Sequence, residues 1–212
     1  MTAHPPARLR PAPGWTVLSA AVAPVALMTG WLAAGSATPG YDPVRSSVSA
    51  LAAGDLPNRW IMTLALVVTG LAYLVTAVGL RTADGAGRGL LGLGGVATLI
   101  MAWIPNAHAA HNSLGHMIPS YIAFVSLSIW SAVVARNVPG APAVLRPRFG
   151  QVTAVVLFLL FIVLVADIVT GGATLGLRER VLLTAQSVVP LVVTLGVVRL
   201  RSPALPEPAF QA

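Results

Sequence analysis

The sequence predicts an all-α polytopic membrane protein, a bundle of six transmembrane helices with both termini in the cytoplasm. Three observations carry that expectation. Only 9% of the 212 residues are charged and 56% are hydrophobic, against roughly 25% charged in a soluble domain. Six apolar runs approach or exceed the roughly 20 residues needed to cross a hydrocarbon core. The arginines gather on alternate connections between those runs, as orientation in a bilayer requires.

The first run is 15–37, WTVLSAAVAPVALMTGWLAAGSA. Arg8 and Arg10 precede it and small residues follow, the outline of a secretory signal. Its apolar stretch exceeds a signal core of about 7–15 residues, so a retained helix is expected. The second run is 60–80, and the third, 89–105, is rich in glycine and somewhat short. Gly87, Gly89 and Gly92 there spell G-x-G-x-x-G, but no strand precedes them, so close helix packing is the reading and not a dinucleotide loop. The fourth, fifth and sixth runs are 117–135, 150–170 and 181–198. Pro24 and Pro190 fall inside helices and are expected to kink them. The runs are too long and continuous for barrel strands. Residues 1–14 and 200–212 are proline-rich and read as flexible cytoplasmic tails around one transmembrane domain, 15–199.

With the N-terminus inside, the inner segments hold Arg8, Arg10, Arg81, Arg88, Arg136, Arg146, Arg148, Arg199 and Arg201. The outer segments hold Arg45, Arg59, Arg178 and Arg180. The excess sets the expected orientation in a cell membrane. Trp15 and Trp130 then fall near the inner interface, and Trp60 and Trp103 near the outer one, as an aromatic belt.

Composition also excludes chemistry. All basic residues are arginine, and without lysine there is no retinal or pyridoxal Schiff base and no Walker-type phosphate loop. Without cysteine there is no disulfide, thiolate catalysis, thiolate zinc site or iron–sulfur cluster. The net charge of +7 comes from scattered arginines, with no basic patch interleaved with aromatics, so nucleic acid is not an expected partner.

The remaining polar groups collect in the outer connections. The first, TPGYDPVRSSVSALAAGDLPNR, supplies Asp42, Arg45, Ser49 and Asp55. Loops of that length are usually functional or disordered. VSALAAG within it suits a short helix lying on the interface or dipping into the bundle, capped by Ser46 or Ser47. The second holds His108, His111 and His116. The third, GGATLGLRER, supplies Arg178, Glu179 and Arg180. Asp167 lies near the outer end of the fifth run, and intramembrane acids face the bundle and often mark function.

Several of these residues also carry a resemblance. Tyr41-Asp42-Pro43 is followed by Ser49 and Leu51, then by a helix holding Thr69-Gly70 and ending in Gly79-Leu80-Arg81. LGHMIPSYIAFVSL opens the fourth helix with His116 and places Phe124 two turns later. This pattern resembles a family of bacterial six-helix membrane proteins, the domain-of-unknown-function family nine-ninety-eight, over about residues 15 to 200. The resemblance implies a six-helix bundle and no settled activity. His108 and His111 stand outside its pattern.

The expected site is an outward-facing polar pocket at the bundle mouth, its binding residues Asp42, Arg45, Ser49, His116, Asp167 and Arg178. The ligand expected is a membrane lipid headgroup or small amphiphile, with Arg45 or Arg178 meeting an anionic group. The alternative is an enzyme acting on a lipid, with His116 and Asp167 as an acid–base pair in hydrogen-bonding reach, or with metal assistance. His108 and His111 are three apart but match no metal signature, so neither a bound metal nor any other cofactor is expected. Serine chemistry would need a base and an acid beside Ser46, Ser47, Ser49 or Ser113, and spacing alone does not supply them. Transport ranks below both readings, since no segment shows paired broken helices. A homo-oligomer is a possible assembly.

Overall fold

The computed structural model describes residues 12–108, 113–135 and 141–199. Six helices run through it: α1 (Trp15–Ser36), α2 (Arg59–Gly79), α3 (Gly85–Trp103), α4 (Leu114–Val133), α5 (Pro147–Thr170) and α6 (Leu175–Val198). All six are long and apolar enough to cross a membrane. Two short 3₁₀ turns, Ser49–Ala52 and Ala143–Leu145, complete the regular structure among the described residues apart from an isolated bridge residue at His108. Each helix packs on its neighbours in sequence, and α6 returns against α1, closing a ring.

The helix starts differ from the expected ones where polar residues open a helix. α3 begins at Gly85, because the Asp84 carboxylate caps it, accepting from the Ala86 N–H at 2.9 Å. α4 begins at Leu114, three residues before its apolar run. The largest correction is α6, which begins at Leu175, so Arg178, Glu179 and Arg180 lie on a helix and not in a loop. Pro24, Pro119 and Pro190 sit inside α1, α4 and α6, which continue through them.

Helix directions alternate, which gives the bundle two ends. At the terminal end, the start of α1 meets the end of α2: a Cβ at Gly79 would strike Thr16. There Gly87 of α3 abuts the Val134 backbone after α4, and Gly150 of α5 abuts the Ser131 carbonyl. Small residues let helix backbones touch without a side chain between them. Leu80, Leu91, Trp130, Val134 and Leu145 fill the core behind these contacts. Trp130 is thus fully buried and takes no place in an aromatic belt. Trp15, Trp60 and Trp103 are exposed, as belt residues should be.

The other end is roofed by residues 37–58. Their 3₁₀ turn dips into the bundle, where Val48, Leu51 and Ala52 pack on Leu27 and Trp31 of α1 and on Met62 of α2. The Ser47 hydroxyl accepts from the Ala50 N–H at 3.1 Å, while the residue at the N-cap is Val48, which makes no side-chain cap, and not Ser46 or Ser47. The outside of the bundle is apolar. On α5, Val152, Val155, Val156, Leu159, Ile162 and Val163 all point outward, a surface suited to hydrocarbon and not to water.

Candidate functional site

The roofed end holds most of the buried charge. Glu179 sits on the inward face of α6, three residues before Leu182 and seven before Gln186, both fully buried. It is 5% exposed. Its Oε2 accepts from the Val48 N–H at 2.7 Å, and its Oε1 from the Ser49 hydroxyl at 3.3 Å. The carboxylate therefore pins the roof to α6 across 131 residues of chain. Among the described residues no cation lies in ion-pair range of it.

Arg180, the next residue, points to the other side of the roof. Its guanidinium donates to the Pro43 carbonyl at 2.6 Å, to the Ser46 carbonyl at 3.3 Å and to the Tyr41 hydroxyl. It also lies over the rings of Trp31 and Tyr41, 5.9 and 5.5 Å from their centroids. The Tyr41 hydroxyl in turn donates towards the Ser46 and Ser47 carbonyls at 3.1 and 3.0 Å. Burial pushes the Tyr41 phenol above its ordinary 10.0, with Arg180 pulling the other way. Gly176 makes this clamp possible, since a Cβ there would collide with the Ser46 and Pro43 carbonyls.

The expected site residues separate into three groups. Asp42 and Arg45 form a local exposed pair at 3.6 Å. Asp42 also accepts from the Val44 N–H at 2.8 Å, shaping the turn. Asp167 is buried, as expected of an acid in that run, but its partners are Arg178 at 3.4 Å and the Thr174 hydroxyl at 3.5 Å. Arg178 adds a bond to the Val163 carbonyl at 3.2 Å, so this pair ties the α5–α6 turn together. Asp167 and His116, expected within direct or one-water hydrogen-bonding reach, form no direct hydrogen bond. His116 instead places Nδ1 3.0 Å from the Ile104 carbonyl, linking the start of α4 to the end of α3. His108 is exposed beside Asp55 at 3.5 Å, and His111 lies outside the described residues.

The third group is His116 and Ser49, and these two do share a space. A cavity of about 60 Å³ opens between α4, α5 and α6 under the roof. Its polar lining is Ser47, Ser49, His116, Ser120 and Glu179. Its apolar lining is Met117, Phe124, Leu164, Ile168 and Leu175, with Tyr121 contributing a ring. His116 is buried, and its Nε2 has no hydrogen-bond partner. A buried polar atom without a partner is uncommon and calls for an explanation. Arg45 and Arg178, expected to greet an anion, do not line this cavity.

Glu179 and Ser120 are the residues that sequence reasoning missed. Glu179 stands between two arginines, which reads as a solvated loop. The available signal was its register with Leu182 and Gln186, which share one helix face at spacings of three and seven.

Comparison with known proteins gives one match. A family model described as Protein of unknown function (DUF998) matches residues 21–196. No curated protein and no solved structure matches the chain.

Proposed function

The chain belongs to the DUF998 family of membrane proteins of unknown function, and from its own geometry we propose that it binds a small amphiphile in the cavity between α4, α5 and α6. The observation that carries this reading is that polar and apolar side chains line one cavity together. Ser49, His116 and Glu179 offer hydrogen-bonding atoms, while Met117, Phe124, Leu164 and Ile168 offer hydrocarbon. Binding sites of this kind are mostly apolar with a few placed polar groups that fix orientation. The same reading puts the roofed end outside the cell, on the arginine excess at the terminal end.

The test is native mass spectrometry of the full chain extracted from its membrane. The expected result is a co-purifying amphiphile that is lost from Leu164→Trp, where the indole fills the cavity. An equal yield of bound species in both proteins would place the binding elsewhere. For orientation, cysteines introduced singly at Ser113 and Ala173 should react with an impermeant thiol reagent in intact cells, and one at Asp84 should not.

A second reading has its own observation. His116, whose Nε2 has no hydrogen-bond partner, lines the same cavity as Glu179, and an imidazole and a carboxylate can carry acid–base chemistry on an occupant. Turnover of the bound species during incubation, absent in His116→Asn, would select it.

A further inference from the structure

The geometry points to a protonated amine as the group that the cavity receives, an assignment that rests on the reading of this cavity as an amphiphile site. The argument is one of unspent hydrogen-bonding capacity. A carbonyl only accepts, so the contact with Ile104 puts the hydrogen of the neutral His116 ring on Nδ1. Nε2 then presents a lone pair, buried and without a protein partner. The Ser49 hydroxyl spends its hydrogen on Glu179, and the Ser120 hydroxyl spends its own on the His116 carbonyl at 2.7 Å. Both oxygens keep acceptor capacity. Glu179 accepts from the Val48 N–H and the Ser49 hydroxyl, with the Ser49 N–H also close, and two carboxylate oxygens offer about four acceptor positions.

Hydrogens on the lining side chains that remain uncommitted belong to the hydroxyls of Ser47 and Tyr121, which are neutral and can accept as well. No arginine lines the cavity. Arg45, Arg178 and Arg180 are engaged by Asp42, by Asp167 and by the roof carbonyls. The complement of such a lining is rich in donors and positively charged. An ammonium supplies three hydrogens to a lining rich in acceptors, and offsets a buried carboxylate that forms no ion pair among the described residues. A carboxylate or phosphate would meet lone pairs and like charge. The rings of Tyr121 and Phe124 add faces that attract a cation. The size agrees. A cavity of about 60 Å³ has room for a few water-sized groups, which suits a primary ammonium and its first methylenes.

The amine can come from a free hydrophobic amine or from an aminophospholipid headgroup, and one experiment separates them. The full chain in detergent at pH 7.5 is titrated with decylamine, decanol and decanoate, which share a chain and differ in the head. Decylamine should bind at least about tenfold more tightly than decanol, the scale of one charge-assisted hydrogen bond, and decanoate should bind weakest. Glu179→Gln, which keeps an acceptor for Val48, should bring the ratio of decylamine to decanol affinity close to one. Equal binding of all three probes, or a preference for decanoate, overturns the amine assignment and leaves the amphiphile reading standing. Failure of all three to bind sinks the amphiphile reading itself. Vesicles of phosphatidylethanolamine or phosphatidylglycerol are then offered as competitors for decylamine. Displacement by the first alone makes the headgroup the source, displacement by neither makes it a free amine, and displacement by both equally overturns the assignment.

Discussion

The two ends of the bundle solve the same packing problem with different materials. At the terminal end, the charged side chains of Asp84 and Arg88 find partners close by in the chain. Asp84 caps its own helix, and Arg88 donates to the Ala77 carbonyl, eleven residues away, at 2.7 Å. Glycines let the helices meet, and Leu80, Trp130 and Leu145 fill what remains. At the roofed end, Glu179 and Arg180 reach across more than 130 residues to hold a loop in place. Two buried polar atoms at the terminal end, Thr16 Oγ1 and Trp130 Nε1, are nevertheless without a hydrogen-bond partner. Long-range pairing holds the roof over a cavity lined by a carboxylate, an imidazole and the hydroxyls of Ser47, Ser49, Ser120 and Tyr121. Low-dielectric surroundings make each such group costly unless it is partnered, and the buried acids Asp167 and Glu179 both lie at the roofed end.

Four expected outcomes sharpen or break this comparison, in descending size. Gly87→Val at the terminal end forces a side chain into the Val134 backbone. It should cost on the order of 3 kcal/mol, the upper range of core overpacking, read as a lower unfolding temperature in detergent. Equal stability would mean that the helices there are not in backbone contact. Arg180→Ala at the roofed end removes the guanidinium donor to the Pro43 carbonyl and the Tyr41 hydroxyl, and one of two donors to the Ser46 carbonyl. A loss of about 2 kcal/mol is expected, with hydrogen exchange accelerated in residues 41–49 and unchanged in α3. Exchange rising evenly over the bundle would make Arg180 a general core residue and not the clamp of the roof.

The third outcome concerns pH. The folded Tyr41 phenol is raised above 10.0, so the unfolded chain loses its proton first. Stability from the neutral phenol is complete below that value and declines as the pH rises through the folded one. The unfolding temperature should therefore fall above about pH 10 more steeply in the native chain than in Tyr41→Phe. The smallest effect belongs to Arg45→Ala. Its pair with Asp42 is exposed, with side chains 73% and 46% accessible, and exposed pairs contribute about 0.5 kcal/mol or less once screened. A larger loss would show that the local pair, and not Arg180, holds the roof.

The sequence by itself determined the membrane class, the six helices and the long connection that roofs one end. These follow from hydropathy, which needs only local composition: each helix satisfies its own backbone, so a run of apolar residues declares itself without reference to the rest of the chain. It also marked His116 and Asp167 as buried groups, because a polar residue in an apolar run stands out. Which polar groups face each other was decided only by tertiary structure. Asp167 and His116 sit at similar heights on adjacent helices, yet the α5–α6 turn delivers Arg178 to the acid, and the end of α3 delivers the Ile104 carbonyl to the imidazole. Glu179, lying between two arginines, looked solvated until α6 began at Leu175 and turned it inward. Partner choice among buried polar groups depends on helix rotation to within a fraction of a turn, and rotation is set by packing against every neighbour at once, which no single stretch of sequence records.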